Sequence, residues 1–216
     1  MPRLYPDRVL GVIGVNTPAF GGGRPAASGS GQPVEPPLIV RTESYYTNTF
    51  QTPGHAEAIL ERDVRHSLEM FFRRGWYWDV GNMRRYPEDS AERTMDFLRM
   101  IEEDDYQGEL FMTEAELVYW TATFEVTGFT GGLNYYRAGA TGGALLPAGD
   151  IEVPCLFVGA ENDTILRPSS SDRMVDFIPD LERHVIADCG HWTQQEKPEE
   201  FNRVTLEWIA RRFGRV

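Results

Sequence analysis

Only two of the 216 residues are cysteine, Cys155 and Cys189, and each sits inside an apolar, strand-like run. A disulfide framework is thereby excluded as a source of stability, and buried free thiols in a reducing compartment are expected. Positive charge is scarce too: 21 Lys and Arg stand against 33 Asp and Glu, a formal net charge of −12. That balance repels polyanions, so neither nucleic acid nor an anionic membrane is expected as a partner. Long hydrophobic runs are missing. The one near the start, Val9 to Val15, is far short of a membrane span and follows charges of both signs, unlike a secretory leader. A cytoplasmic protein is the expectation. The four histidines (His55, His66, His184, His191) have no ligand spacing and no Cys-x-x-Cys occurs, so neither a metal nor another cofactor is expected.

A hydrophobic content of 41% over this length suffices for a real core, in one domain or one domain with an insertion. Val9–Val15 is rich in β-branched residues and reads as a buried strand. Residues 21–37 are dominated by Gly, Pro and Ser and read as a connection. Their triple glycine lacks the Lys-Ser/Thr of a phosphate loop and the His of a lipase oxyanion motif. From Pro53 to about Arg74, Ile59, Leu60, Val64, Leu68, Phe71 and Phe72 recur at helical spacing. A weaker helical pattern covers about Ser90 to Glu102. Thr113-Glu-Ala-Glu116 is a capping box opening a helix to about Val126, with Gly128 as its stop. No convincing strand falls between 38 and 145. A second Gly-rich connection spans Gly139 to Gly149. Strand, helix, strand and helix then follow at about 152–159, 170–178, 183–188 and 198–212. This order predicts part of an α/β sheet with a helical insertion.

Two strand ends carry polar residues suited to chemistry. Asp163 closes Val153-Pro-Cys-Leu-Phe-Val-Gly-Ala-Glu-Asn-Asp163, and His191 closes Val185-Ile-Ala-Asp-Cys-Gly-His191. Strand-end loops of open α/β sheets are where catalytic groups collect, and a carboxylate with an imidazole forms an acid–base pair. For Asp163 alone, capping the next turn is the simpler reading. The Cys-Gly-His-Trp segment downstream turns the balance toward catalysis. Tyrosine pairs occur in Ser44-Tyr-Tyr46 and Asn134-Tyr-Tyr136. Singly such residues are usually packing, whereas two phenols aimed at one place can hold an oxygen as it becomes an alkoxide.

Several segments together resemble the epoxide hydrolases of the α/β-hydrolase family, close to the soluble type. They are Tyr5-Pro-Asp-Arg-Val, Asn16-Thr-Pro18, Phe50-Gln-x-Pro-Gly-x-Ala-Glu57, Gly128-Phe-x-Gly-x-Leu-Asn-x-Tyr-Arg137, and Asp188-Cys-Gly-His-Trp-Thr-Gln194, with the strand end at Asp163. The resemblance implies a partial α/β-hydrolase fold: the C-terminal strands of a mostly parallel sheet, with an inserted helical cap. It divides the chain into a core of 1–37 and 146–216 and a cap of 38–145. It assigns Tyr46 and Tyr136 to the epoxide oxygen, and Asp163 and His191 to the charge relay that hydrolyses an ester intermediate to a vicinal diol. The substrate it implies is a small hydrophobic epoxide. The family's Asp nucleophile needs a small-residue turn such as Gly-x-Asp-x-Gly, and none occurs in these 216 residues. A truncated gene and an inactive chain are therefore expected. A haloalkane dehalogenase, an esterase and a non-catalytic fragment binding a hydrophobic ligand remain alternatives, and the oligomeric state is open.

Overall fold

Cys155–Ala160 is apolar at every position and buried at every position, as a strand covered on both faces must be. In the computed structural model, which describes residues 1–19, 39–74, 83–87, 89–142 and 149–214, this strand is the centre of a sheet. We call it β2; β1 (Val12–Val15) pairs with it on one side and β3 (Leu181–Ile186) on the other, both parallel. The register sets Val12 against Cys155, and Cys155 against Leu181. The expected three adjacent parallel strands are present. Parallel pairing follows from connections that are long and carry helix.

Alternation along β2 builds two separate apolar layers. Leu156, Val158 and Ala160 face one way and pack with Ile186, Val204 and Trp208. Cys155 and Phe157 face the other way, against Ile151, Met174, Phe177 and Ile178. Both thiols are free and buried. Burial pushes Cys155 up to about 11 and Cys189 up to about 12, so neither is a thiolate nucleophile near neutral pH. The helix Pro198–Phe213 supplies Val204 and Trp208 to the first layer. Pro at its start, Glu199 and Glu200 in its first turn, and Arg211 and Arg212 in its last all suit the helix dipole. Arg212 also closes on Asp180 and Glu182.

Strand ends differ from expectation by a few residues, each for a local reason. Tyr5 precedes a 3₁₀ turn at Pro6–Arg8, which delays β1 to Val12. β3 ends before Asp188, whose φ of 46° is left-handed and turns the chain. The helix expected near 170–178 is a 3₁₀ segment, Pro168–Asp176. Its serines favour local bonds, as where Ser171 Oγ donates to the Pro168 carbonyl, over a regular α-helix.

Met1–Pro36 and Leu145–Val216 form one compact unit, and Pro37–Ala144 form a second. In the second, the single helix expected over 53–74 is two, His55–Leu60 and Val64–Phe71. Asp63 makes the break: its side chain accepts from His66 N and starts a new helix. The pattern over 90–102 is likewise split, into Ala91–Thr94 and Phe97–Glu103. Met95 adopts a φ of 51° between them, and Asp96 caps the second helix through Arg99 N.

The Thr113/Glu116 box makes both of its bonds and opens Glu114–Thr127. Gly128 stops this helix with a φ of 65°, and a Cβ there would lie 2.7 Å from Glu61 Oε1. Val64, Leu68 and Leu117 form the core beside it. A strand pair the sequence did not signal, Arg73–Arg74 against Glu109–Leu110, is antiparallel. At two residues each, the strands are too short to show a period. The helix Thr130–Gly142 runs through Gly139, where a connection was expected to begin. The buried Leu133 and the anchored Arg137 outweigh the roughly 1 kcal/mol cost of an internal glycine. The connection expected over 21–37 lies outside the described residues, as does 143–148 of the second.

Candidate active site

Asp163 leaves β2 fully buried, at 0% exposure, and divides its two oxygens between two tasks. Oδ1 accepts from the backbone amides of Ile165 and Leu166, both at 2.9 Å. Oδ2 faces His191 Nδ1 at 2.9 Å. Turn capping and imidazole holding are thus done by the same residue. A carboxylate so held fixes the tautomer: Nδ1–H donates to Asp163, so Nε2 is the nitrogen that can take a proton. The loops themselves are tied, with Asn162 N donating to the Cys189 carbonyl at 2.9 Å and Asp188 N to Glu161 Oε2 at 2.9 Å. The His191 side chain keeps 22% exposure and meets the Trp192 ring edge-on at 5.5 Å.

Within the second unit, Tyr46 and Tyr136 are ninety positions apart in sequence and adjacent in space. Their rings meet edge to face, with centroids 5.7 Å apart at 85°. Tyr46 also stacks on Phe97 at 4.9 Å, and Phe50 stands edge-on to both tyrosines. The junction is made by Arg137. Its guanidinium grips both oxygens of Glu57 at 2.8 and 3.0 Å and donates to the Phe50 carbonyl at 3.0 Å. Glu57 in turn accepts from Gly54 N and Thr130 Oγ1. Gln51 Nε2 reaches the Tyr136 carbonyl at 3.3 Å. Glu57 and Arg137 each stand inside a motif of the sequence, but their pairing has no signature in spacing.

Tyr45, buried to 3% exposure, is a third phenol, beside Tyr46, and nothing in the sequence distinguishes it from that neighbour. Its ring lies 4.6 Å from that of Tyr46. Burial first, then the neighbouring Tyr45, raises Tyr46 far above the ordinary tyrosine range. Partial burial also raises Tyr136, although 40% of it is exposed. Both therefore remain O–H donors at any ordinary pH.

The Arg137 guanidinium holds the Glu57 carboxyl down at about 2, against a usual 4.5. A depressed carboxyl stabilises the fold fully above about 4.5 and loses that contribution as the pH falls toward 2. Glu57→Gln should lower the melting midpoint at pH 7 by roughly 10 °C, because it leaves Arg137 facing a neutral partner. The gap to the parent should narrow steadily in melts from pH 4.5 to pH 2. A gap that stays constant across that window would mean that the pair does not carry the charge coupling.

Among the described residues, no group of three or more His, Cys, Asp or Glu could hold a metal ion. No described helix is long and apolar enough to cross a membrane.

A family model described as the alpha/beta hydrolase fold matches residues 1–198. Bifunctional epoxide hydrolase 2 of Sus scrofa is 33% identical over 214 residues, which cover 97% of this chain and 36% of that protein. Epoxide hydrolase A of Mycobacterium tuberculosis is 30% identical over 223 residues, covering 97% and 64%. The crystal structure of an epoxide hydrolase from Vigna radiata aligns with a TM-score of 0.65 at 20% identity, over 97% of this chain and 63% of that one. At that identity the structural likeness speaks for the fold alone. The chain spans less than two thirds of the length of each of these relatives. By its sheet, its strand-end Asp and His and the family match over most of its length, this chain belongs to the α/β-hydrolase fold family, and the two curated relatives that it matches over 97% of its length, from Sus scrofa and Mycobacterium tuberculosis, are named epoxide hydrolases.

Proposed function

We propose that this chain carries the oxygen-binding and acid–base residues of an epoxide hydrolase that opens small hydrophobic epoxides to vicinal diols. The observation that carries the reading is the contact between Tyr46 and Tyr136, two phenols locked together and kept protonated. A dehalogenase or esterase has no evident use for such a pair. In this reading a carboxylate attacks one oxirane carbon and the C–O bond breaks. The phenols share the charge that develops on oxygen. The product is an ester between the carboxyl and the ring-opened substrate. Water is then deprotonated by His191 Nε2 while Asp163 steadies the imidazolium through Nδ1–H. Hydroxide adds to the ester carbonyl and the adduct collapses with cleavage of the acyl C–O bond; the imidazolium proton and the proton of the added hydroxyl pass to the two alkoxide oxygens, which regenerates the carboxylate and releases the diol. The unit Pro37–Ala144 acts as the cap that brings the phenols to the substrate, the protein works in the cytoplasm, and no cofactor takes part.

The nucleophilic carboxylate has no candidate turn in these 216 residues. Residues 1–216 should accordingly show no epoxide turnover above background, since His191 and Asp163 have only water to activate. The test is to express residues 1–216 and, separately, the reading frame extended upstream, and to assay both on an aryl epoxide. Diol from the extended form alone is the expected result. Diol formation by 1–216 at a comparable rate would sink this reading and place the nucleophile within residues 1–216.

A further inference from the structure

His191 is gripped by its backbone as firmly as by its imidazole. The amide on its N-terminal side, Gly190 N, donates to Glu196 Oε2 at 3.0 Å. The amide on its C-terminal side, Trp192 N, donates to Glu196 Oε1 at 3.1 Å. One carboxylate therefore takes both N–H groups flanking the histidine. It comes so close that a Cβ on Gly190 would lie 2.9 Å from Glu196 Oε1, so a side chain there would push the carboxylate aside. The carbonyl of His191 itself accepts from Asn16 Nδ2 at 2.8 Å.

Asn16 is well placed for this. It stands at the end of β1 with a left-handed φ of 54°, a conformation Asn tolerates better than most residues. It is buried to 4% exposure, its own N–H donates to the Val158 carbonyl, and its Oδ1 accepts from Thr193 Oγ1. Backbone strain of this kind persists only where the surroundings over-determine it. Glu196 is set by the short turn Thr193–Glu196, in which its own amide returns to the Trp192 carbonyl.

We propose that Glu196 and Asn16 are positioning residues for His191: together they fix the backbone from Gly190 to Thr193, so that the imidazole has one orientation in which Nδ1–H meets Asp163. The proposal rests on the reading of His191 as the base. The Asp163 contact alone restrains only the far end of a side chain that turns about two bonds. Fixing the backbone on both sides of the Cα removes the remaining freedom, as holding a catalytic group in register requires. Neither residue touches a reacting atom; each acts through His191.

The test reads the Nδ1–H proton directly. Residues 1–216 labelled with ¹⁵N-histidine should show a low-field Nδ1–H resonance in proton NMR that vanishes in Asp163→Asn. In Glu196→Gln, which has the same shape and offers a single oxygen, that resonance should move upfield. Its exchange with water should quicken about tenfold, the effect of one lost hydrogen bond. Glu196→Asp keeps the charge but is one methylene short, and should show the same loss. If Glu196→Asp behaves like the parent, charge rather than reach is what matters, and the positioning role is overturned. An unchanged resonance in a folded Glu196→Gln overturns it equally. Should Glu196→Gln fail to fold, Asn16→Asp decides by the same signal, because it removes the donor to the His191 carbonyl. No Asp163-dependent resonance in the parent would instead refute the His191–Asp163 pairing on which the proposal stands.

Discussion

Replacing His191 with Gln, or Asp163 with Asn, in the polypeptide that turns over an aryl epoxide should lower the steady-state rate by about 10³-fold or more. The two steps of the proposed reaction should separate. Ring opening uses a carboxylate and the phenols, so the ester should still form. Its hydrolysis needs a base at Nε2, and that step should stall. Asp163→Asn is informative because the structure gives Asp163 two duties. An amide oxygen at Oδ1 can still accept from Ile165 and Leu166, preserving the turn. An amide facing Nδ1 at the Oδ2 position favours the wrong tautomer and offers no charge to the imidazolium. Rapid mixing followed by mass measurement of the intact protein should find it heavier by one substrate. A variant that keeps the parent's rate and carries no adduct would show that the pair is structural.

Tyr46→Phe and Tyr136→Phe should each reduce the rate of ring opening by about 10²-fold, the usual cost of one donor to a developing oxyanion, and the double variant by more. Folding should be spared, because phenylalanine keeps the edge-to-face contacts with Phe50 and the stacking of Tyr46 on Phe97. The pH dependence has a definite sign. Both phenols are raised above the ordinary tyrosine range, chiefly by burial, so the protonated donors persist as pH climbs through 10. The ring-opening rate, followed by single-turnover kinetics, should therefore show no loss with a midpoint near 10. An alkaline loss there that disappears in the Phe variants would contradict the burial of these hydroxyls.

Much of this protein follows from local pattern. Cys155–Ala160 is an unbroken apolar run because the strand is covered on both faces, so a strand there is legible in the sequence, while its place between the other two is set by the pairing. Asp163 and His191 stand at the ends of such runs, where side chains leave the sheet for the loops. Thr113 and Glu116, and the Pro-Glu-Glu to Arg-Arg gradient of the last helix, mark helix ends through bonds made within a few residues. What the sequence by itself determined was whatever depends on near neighbours: the three strands of the parallel sheet, the helix starts at Glu114 and Pro198, and which polar residues follow the strands.

Only the tertiary structure decided the rest, because the responsible contacts join residues distant in sequence. Tyr46 meets Tyr136 ring to ring, and Arg137 ties the helix of Tyr136 to Phe50 and Glu57, contacts that periodicity does not record. The helix breaks at Asp63 and Met95 lie within continuous apolar patterns, and capping bonds and one left-handed residue override those patterns locally. Asn16 meets the His191 loop from 175 positions away, where β1 ends beside β2. Glu196 lies only a few residues from His191, yet its part was equally hidden. A glutamate in a short polar turn looks solvated until the fold brings its carboxylate against two amides. Hydrogen-bond partners are chosen by three-dimensional proximity and angle, and neither is written in residue type or spacing.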